Sequence, residues 1–261
     1  MYQAIAVEAN DRIARITLAR EERRNAISPA MMNELLEAFR KYNDDSSVVV
    51  LVLTGAGEKV FCSGADIAES IAAGASFIER YEEQRKFAEL FKTIKALKKP
   101  LIGRINGHAM GGGLGLAAAC DIVVASDDCK FGTPEVNVGL FPYVIMATLL
   151  RVATSPKRLL EMMLAGERID AAEAQRLGIV NHVVPRPELD ARVDSIAKNL
   201  ASKSPATLRM GRRAFYTMRD MEYEKALEYL TSALAINTMA EDVTEGIASF
   251  MEKRDPLWKG K

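Results

Sequence analysis

Hydrophobic and polar positions along the chain change period several times, and each change marks an element. Ile5, Val7, Ile13, Ile16 and Leu18 fall in two short extended runs around the turn "EAND", which predicts a hairpin. "ISPAMMNELLEAFRKYN" has helical spacing instead. Met32, Leu35, Leu36 and Phe39 form its apolar stripe, Ser28 is placed to cap it, and Pro29 suits its first turn. "VVVLVLTG" (48–55) is apolar without alternation, as expected of a strand buried on both faces. A helix is predicted over 77–97, a strand at "KPLIGRI", a helix at "LGLAAAC", and strands at "DIVVAS" and "GIVNHVV". Strands alternating with helices predict a largely parallel α/β core over residues 1–187. Beyond Pro187 only helical spacing remains, to about Arg254, broken at Pro205. Residues 188–261 therefore read as a region of three or four helices. Its apolar stripes (Leu227, Leu230, Leu234, Ile247, Phe250) need a partner surface, which predicts an oligomer.

Charge and composition narrow the function classes. Of 261 residues, 35 are Lys or Arg and 35 are Asp or Glu, so there is no general attraction to nucleic acid or an anionic membrane. No apolar run is long enough to span a bilayer. "MYQAIAVEANDRIARITL" lacks the basic region and apolar block of a secretory signal, and three scattered cysteines fit a reducing cytoplasm. Two histidines and cysteines without ligand spacing make a metal site improbable, so none is assigned.

The chemistry concentrates in "NGHAMGGGLGLAAACD" (106–121). It lacks the Lys-Ser/Thr ending of a phosphate loop. Gly113, Gly115 and Ala118 match a dinucleotide-binding turn, but "NGHAMGG" separates them from the strand end at Ile105, and no ribose-binding acid follows. Two readings remain. Glycines at a helix start expose N–H groups at its positive end, the makings of an anion or oxyanion site. Glycines also allow plain close packing, and spacing alone does not choose. A second small-residue turn, Ser63-Gly64-Ala65 in "GEKVFCSGADIAES", favours the first reading, because two turns after two strands can each aim one N–H at the same oxygen.

With "RRNAIS", "FCSGADI", "INGHAMGGGLGLAAACDIVVAS", "FGTPEVNVGLFP", "AQRLGIVNHVV" and "EGIASFMEKRDPLW" in order, the chain resembles the crotonase superfamily of enoyl-CoA hydratases and isomerases nearly end to end. The resemblance implies the crotonase (ClpP-like) fold of repeated ββα turns with a C-terminal helical region, assembled as trimers or hexamers. It implies an acyl-CoA thioester substrate, with coenzyme A entering only as part of it and no separate cofactor. Ala65 and Gly112 match the oxyanion donors, with Gly111 beside them. Glu135 matches one of two family glutamates, and its Pro-flanked apolar setting suits a carboxyl of raised pKa. Arg24, Ser63, Asp66, Ile67, Phe250 and Lys253 match coenzyme A contacts.

Two departures stand out. Gly115 occupies the position of the second family glutamate, and "PYVIM" replaces a glycine-rich "PGxGG", adding Tyr143, Val144, Ile145 and Met146 beside the acyl site. One carboxylate favours a double-bond shift over water addition. An atypical hydratase and a non-catalytic acyl-CoA binder are the alternatives. His108, Cys62 and Asp121 read as structural.

Overall fold

In a computed structural model, which describes residues 2–66 and 76–261, the chain winds between two sheets. The first is six-stranded, in the order β1 (Ile5–Asn10), β2 (Ile13–Leu18), β3 (Val50–Gly55), β5 (Leu101–Ile105), β7 (Ile122–Ser126), β10 (His182–Val184). All its pairings are parallel except β1–β2. The second holds β4 (Val60–Cys62), β6 (His108–Met110), β8 (Lys130–Gly132) and β9 (Arg168–Asp170). Each repeat thus places one strand in each sheet before its helix: β5 and β6 precede α3 (Gly112–Ala119), and β7 and β8 precede α4 (Tyr143–Val152). The expected ββα repeat is present. The three-residue strands of the second sheet are too short to show a period, so the sequence pattern did not reveal them.

Local chemistry explains the elements. Helix α1 (Pro29–Asp44) starts where Ser28 Oγ accepts the Met31 N–H at 3.1 Å, and Met32, Leu35, Leu36 and Phe39 are buried as their spacing predicts. The first hairpin turns at Asp11 and Arg12, with φ of 51° and 67°, rather than across "EAND". Pairing runs through Asn10, and the tight turn needs positive φ at both central residues. The unbroken apolar run of β3 is explained by its two faces. Leu51 and Leu53 join the main core, whereas Val50 and Val52 meet Leu189, Val193 and Ala197 of α7 (Leu189–Ala201).

Three further helices follow: α8 (Pro205–Met218), α9 (Tyr223–Thr238) and α10 (Glu241–Glu252). Asp121 anchors α8. Its carboxylate accepts the Leu101 N–H at 2.7 Å, Arg212 Nε at 2.8 Å and the Tyr216 hydroxyl at 2.6 Å. Arg212 also donates to the Ile94 carbonyl at 2.9 Å, near the C-terminus of α2 (Phe77–Lys95), where the helix dipole favours a cation. Asp121 is structural, as expected.

The corners between the sheets are held by buried asparagines. Asn106, between β5 and β6, accepts the Gly55 N–H at 3.1 Å and donates to the Gly55 and Gly57 carbonyls at 3.0 and 2.6 Å. Asn25 accepts the Arg20 N–H at 3.1 Å and donates to the Ala56 and Val60 carbonyls at 3.0 and 2.9 Å. Asn106→Ala leaves several of these buried groups without partners. It is expected to cost at least about 2 kcal/mol in urea unfolding, whereas loss of less than about 0.5 kcal/mol would show that the corner does not depend on it.

Candidate functional site

Two backbone turns meet where β4 ends and α3 begins. Gly111 has φ 52° and ψ −124°, a conformation open to glycine, and its N–H donates to the Gly132 carbonyl at 2.8 Å. A Cβ at Gly113 would stand 2.3 Å from the Cys62 carbonyl oxygen. A Cβ at Gly64, whose φ is 100°, would stand 3.2 Å from the Gly112 nitrogen, and one at Gly112 would stand 3.5 Å from the Ala65 nitrogen. The missing side chains therefore bring the Ala65 and Gly112 amides side by side.

Neither amide donates to an acceptor among the described residues. Ile27 pairs with the turn by donating to the Gly64 carbonyl at 2.8 Å and accepting the Asp66 N–H at 3.0 Å. In such a parallel bridge the Ala65 N–H faces away from Ile27, and it has no acceptor among the described residues. Gly112 is the first residue of α3, so its N–H has no intrahelical partner and sits at the positive end of the helix. Two unengaged, neighbouring N–H groups can hold an oxygen that gains negative charge.

Glu135 lies against Gly111, the residue before Gly112. It sits in a 3-10 turn, Pro134–Val138, whose geometry is fixed by the Leu140 N–H donating to the Glu135 carbonyl at 3.0 Å. Its Oε1 comes so close to Gly111 that a Cβ there would stand 2.6 Å away. Its Oε2 is buried and has no hydrogen-bond partner among the described residues. Burial pushes the carboxyl above the usual glutamate range. A buried carboxyl of raised pKa thus stands beside the turn that carries the Gly112 amide.

The space over Gly115, where the resemblance implies a second glutamate, is filled. A Cβ at Gly115 would stand 2.3 Å from Ile145 Cγ2 and 3.0 Å from Phe91 Cζ. Of the bulk expected from "PYVIM", Ile145 is buried on α4 and lies directly over Gly115, whereas Tyr143 points to the surface. Phe87, one turn before Phe91 on α2, approaches Gly112 in the same way, at 3.0 Å from its would-be Cβ. The two rings meet edge to face at 5.1 Å. The sequence reading missed both phenylalanines as site residues; their helical spacing from each other was the available signal.

The remaining candidates divide. Arg24 is exposed, and its carbonyl accepts the Ser63 N–H at 3.1 Å, so the two share one corner. Asp66 is buried there, with its carboxylate on Arg20 at 3.0 Å. Ile67 lies outside the described residues. Phe250 is 81% exposed on α10, and Lys253 follows at that helix's end; no described hydrogen bond or ion pair of this chain joins either to the Arg24 corner. Tyr143 opens α4 with its ring on the surface, 5.3 Å from that of Phe141. His108 accepts the Lys130 N–H at 3.1 Å through Nδ1, and Cys62 is a buried thiol pushed up to about 12. Both are structural, as expected. The described residues contain no cluster of metal-ligating side chains.

The raised carboxyl of Glu135 has a consequence for stability. A folded-state pKa above the unfolded value means that ionisation opposes folding, so stability is full below the ordinary glutamate pKa of about 4.3 and declines as pH rises through the folded value. Glu135→Gln removes that ionisation. Its melting temperature relative to the unmodified protein is expected to rise from pH 4 to pH 8; a difference that is constant with pH would contradict the assigned environment.

Comparison with known proteins agrees with this geometry. Residues 8–261 match the family model described as enoyl-CoA hydratase/isomerase. The chain is 33% identical over 258 residues to a probable enoyl-CoA hydratase of Mycobacterium bovis, covering 98% of this chain and 97% of that protein. It is 35% identical over 268 residues to a carnitinyl-CoA dehydratase of Escherichia coli, covering all of both. A solved enoyl-CoA hydratase of Mycobacterium smegmatis superposes with a TM-score of 0.93 at 32% identity, covering 98% of this chain and 99% of that one. These matches run over nearly the whole chain, and the chain belongs to the enoyl-CoA hydratases and isomerases.

Proposed function

We propose that the protein shifts the double bond of an enoyl-CoA, using Glu135 as its one acid/base and the Ala65 and Gly112 amides as its oxyanion hole. The observation that carries this reading is the packing of Ile145 and Phe91 onto Gly115, which leaves no room for a second carboxylate to position water. Glu135 takes a proton from C2 of a 3-enoyl-CoA. The electron pair moves into the thioester, and its oxygen receives both N–H groups; one such donor contributes about 3 kcal/mol to a developing oxyanion. Glu135 then returns the proton at C4, giving the 2-enoyl isomer. Every bond change is accounted for by one glutamate and two amides, with coenzyme A as the handle.

The corner of Arg24, Ser63 and Asp66, with Gly111, forms the coenzyme A side in this reading, and Tyr143 borders the acyl side. Phe250 and Lys253 belong to the tail, whose Leu234, Ile247 and Phe250 are 64%, 62% and 81% exposed. That surface supports assembly as a homotrimer or homohexamer. A second reading, hydration, is supported by the relatives, two of which are named hydratase and one dehydratase.

Product analysis separates the two. With 3-enoyl-CoA and 2-enoyl-CoA as alternative substrates, the bond shift is expected to outpace hydration; rapid hydration without any shift would overturn the proposal. Glu135→Gln is expected to slow the shift roughly 100- to 10,000-fold with little change in acyl-CoA affinity. Gly115→Glu alone must displace Ile145 and should destabilise the fold, by about 1–3 kcal/mol. Pairing it with Ile145→Gly provides room, and the double variant should gain hydration relative to isomerisation.

A further inference from the structure

A second carboxylate lies on the helix that packs onto the two turns. Glu83 lies on α2, four residues before Phe87 and eight before Phe91, so the three share one helix face. That face is fixed toward the catalytic turns, because the Phe87 ring end packs on Gly112 and the Phe91 ring end packs on Gly115. Glu83 Oε1 is shielded from solvent and has no hydrogen-bond partner among the described residues. No ion pair among the described residues includes Glu83. A carboxylate oxygen stripped of water without a donor is costly, and folds rarely keep one without use.

The order along the helix excludes one use. Gly115 lies at the Phe91 end and Glu83 at the other, about 12 Å apart along the axis at the usual rise. Glu83 therefore does not replace the absent water-activating acid. It stands about 6 Å along the axis from Phe87, whose ring end reaches Gly112, a distance spanned by several acyl carbons. Phe87 and Phe91 supply an apolar wall between.

We infer that Glu83 is a specificity residue for acyl-CoA thioesters whose chain carries a hydrogen-bond donor, a hydroxyl or an ammonium, several carbons beyond the thioester. An apolar chain would leave Oε1 unpaired; a donor-bearing chain satisfies it. The inference rests on the acyl-CoA reading of the site but not on whether the reaction is isomerisation or hydration.

Saturated thioesters test it, because they bind without turnover. The affinities of hexanoyl-CoA, 6-hydroxyhexanoyl-CoA and 6-aminohexanoyl-CoA are measured by calorimetry on the unmodified protein, Glu83→Gln and Glu83→Leu. At least one donor-bearing chain is expected to bind the unmodified protein roughly 10-fold or more tighter than hexanoyl-CoA, the usual worth of a hydrogen bond to a charged group. Glu83→Leu should reverse that preference. Glu83→Gln should keep a hydroxyl preference and abolish an ammonium preference, which tells the two donors apart. Equal affinities for all three ligands, or a preference that survives Glu83→Leu, would overturn the assignment while leaving the acyl-CoA reading intact. Absence of binding by all three would overturn both.

Discussion

The structure depends on how closely two stretches of backbone approach each other. The end of β4 and the start of α3 touch main chain to main chain, with the Cys62 carbonyl against Gly113 and the Gly112 amide against Gly64. Side chains at Gly64, Gly111 or Gly113 would separate them or strain the turn. Because they touch, two amide donors from different repeats become neighbours. Because Gly111 also lacks a Cβ, the Glu135 carboxylate fits beside them. The groups proposed to act are thus placed largely by absent atoms, and rigid backbone donors need no reorganisation as charge develops.

The ββα winding serves that contact. Each repeat ends its second strand at the same edge, and the parallel pairing of β4 with β6 and of β6 with β8 brings the residues after those strands together. Ala65 follows β4, Gly112 follows β6 and Glu135 follows β8. Asn25 and Asn106 hold the sharp corners that let each repeat cross from one sheet to the other.

Much of this was legible in the sequence, and the limits have physical causes. The α1 stripe, the doubly buried β3 and the helical tail follow from periodicity, which long elements display over several turns. The second sheet is built from three-residue strands stabilised by neighbours distant in sequence, so no local pattern reports it. At the site, the glycine turns and Glu135 were legible because glycine and a carboxyl in an apolar setting are locally unusual. Phe87, Phe91 and Glu83 were not, since residues at helical spacing look like ordinary amphipathic positions until the helix is docked. The insertion of Ile145 onto Gly115 was half legible: bulk was visible in "PYVIM", its destination was not.

The central claim is that a thioester bound at the Ala65 and Gly112 amides loses a C2 proton to Glu135. Proton exchange at C2 of a saturated acyl-CoA in deuterated water tests this without reference to the final product. The account predicts enzyme-dependent deuterium incorporation at C2, reduced at least roughly 100-fold in Glu135→Gln. No incorporation by the unmodified protein with the thioester bound, or undiminished incorporation by Glu135→Gln, would contradict it.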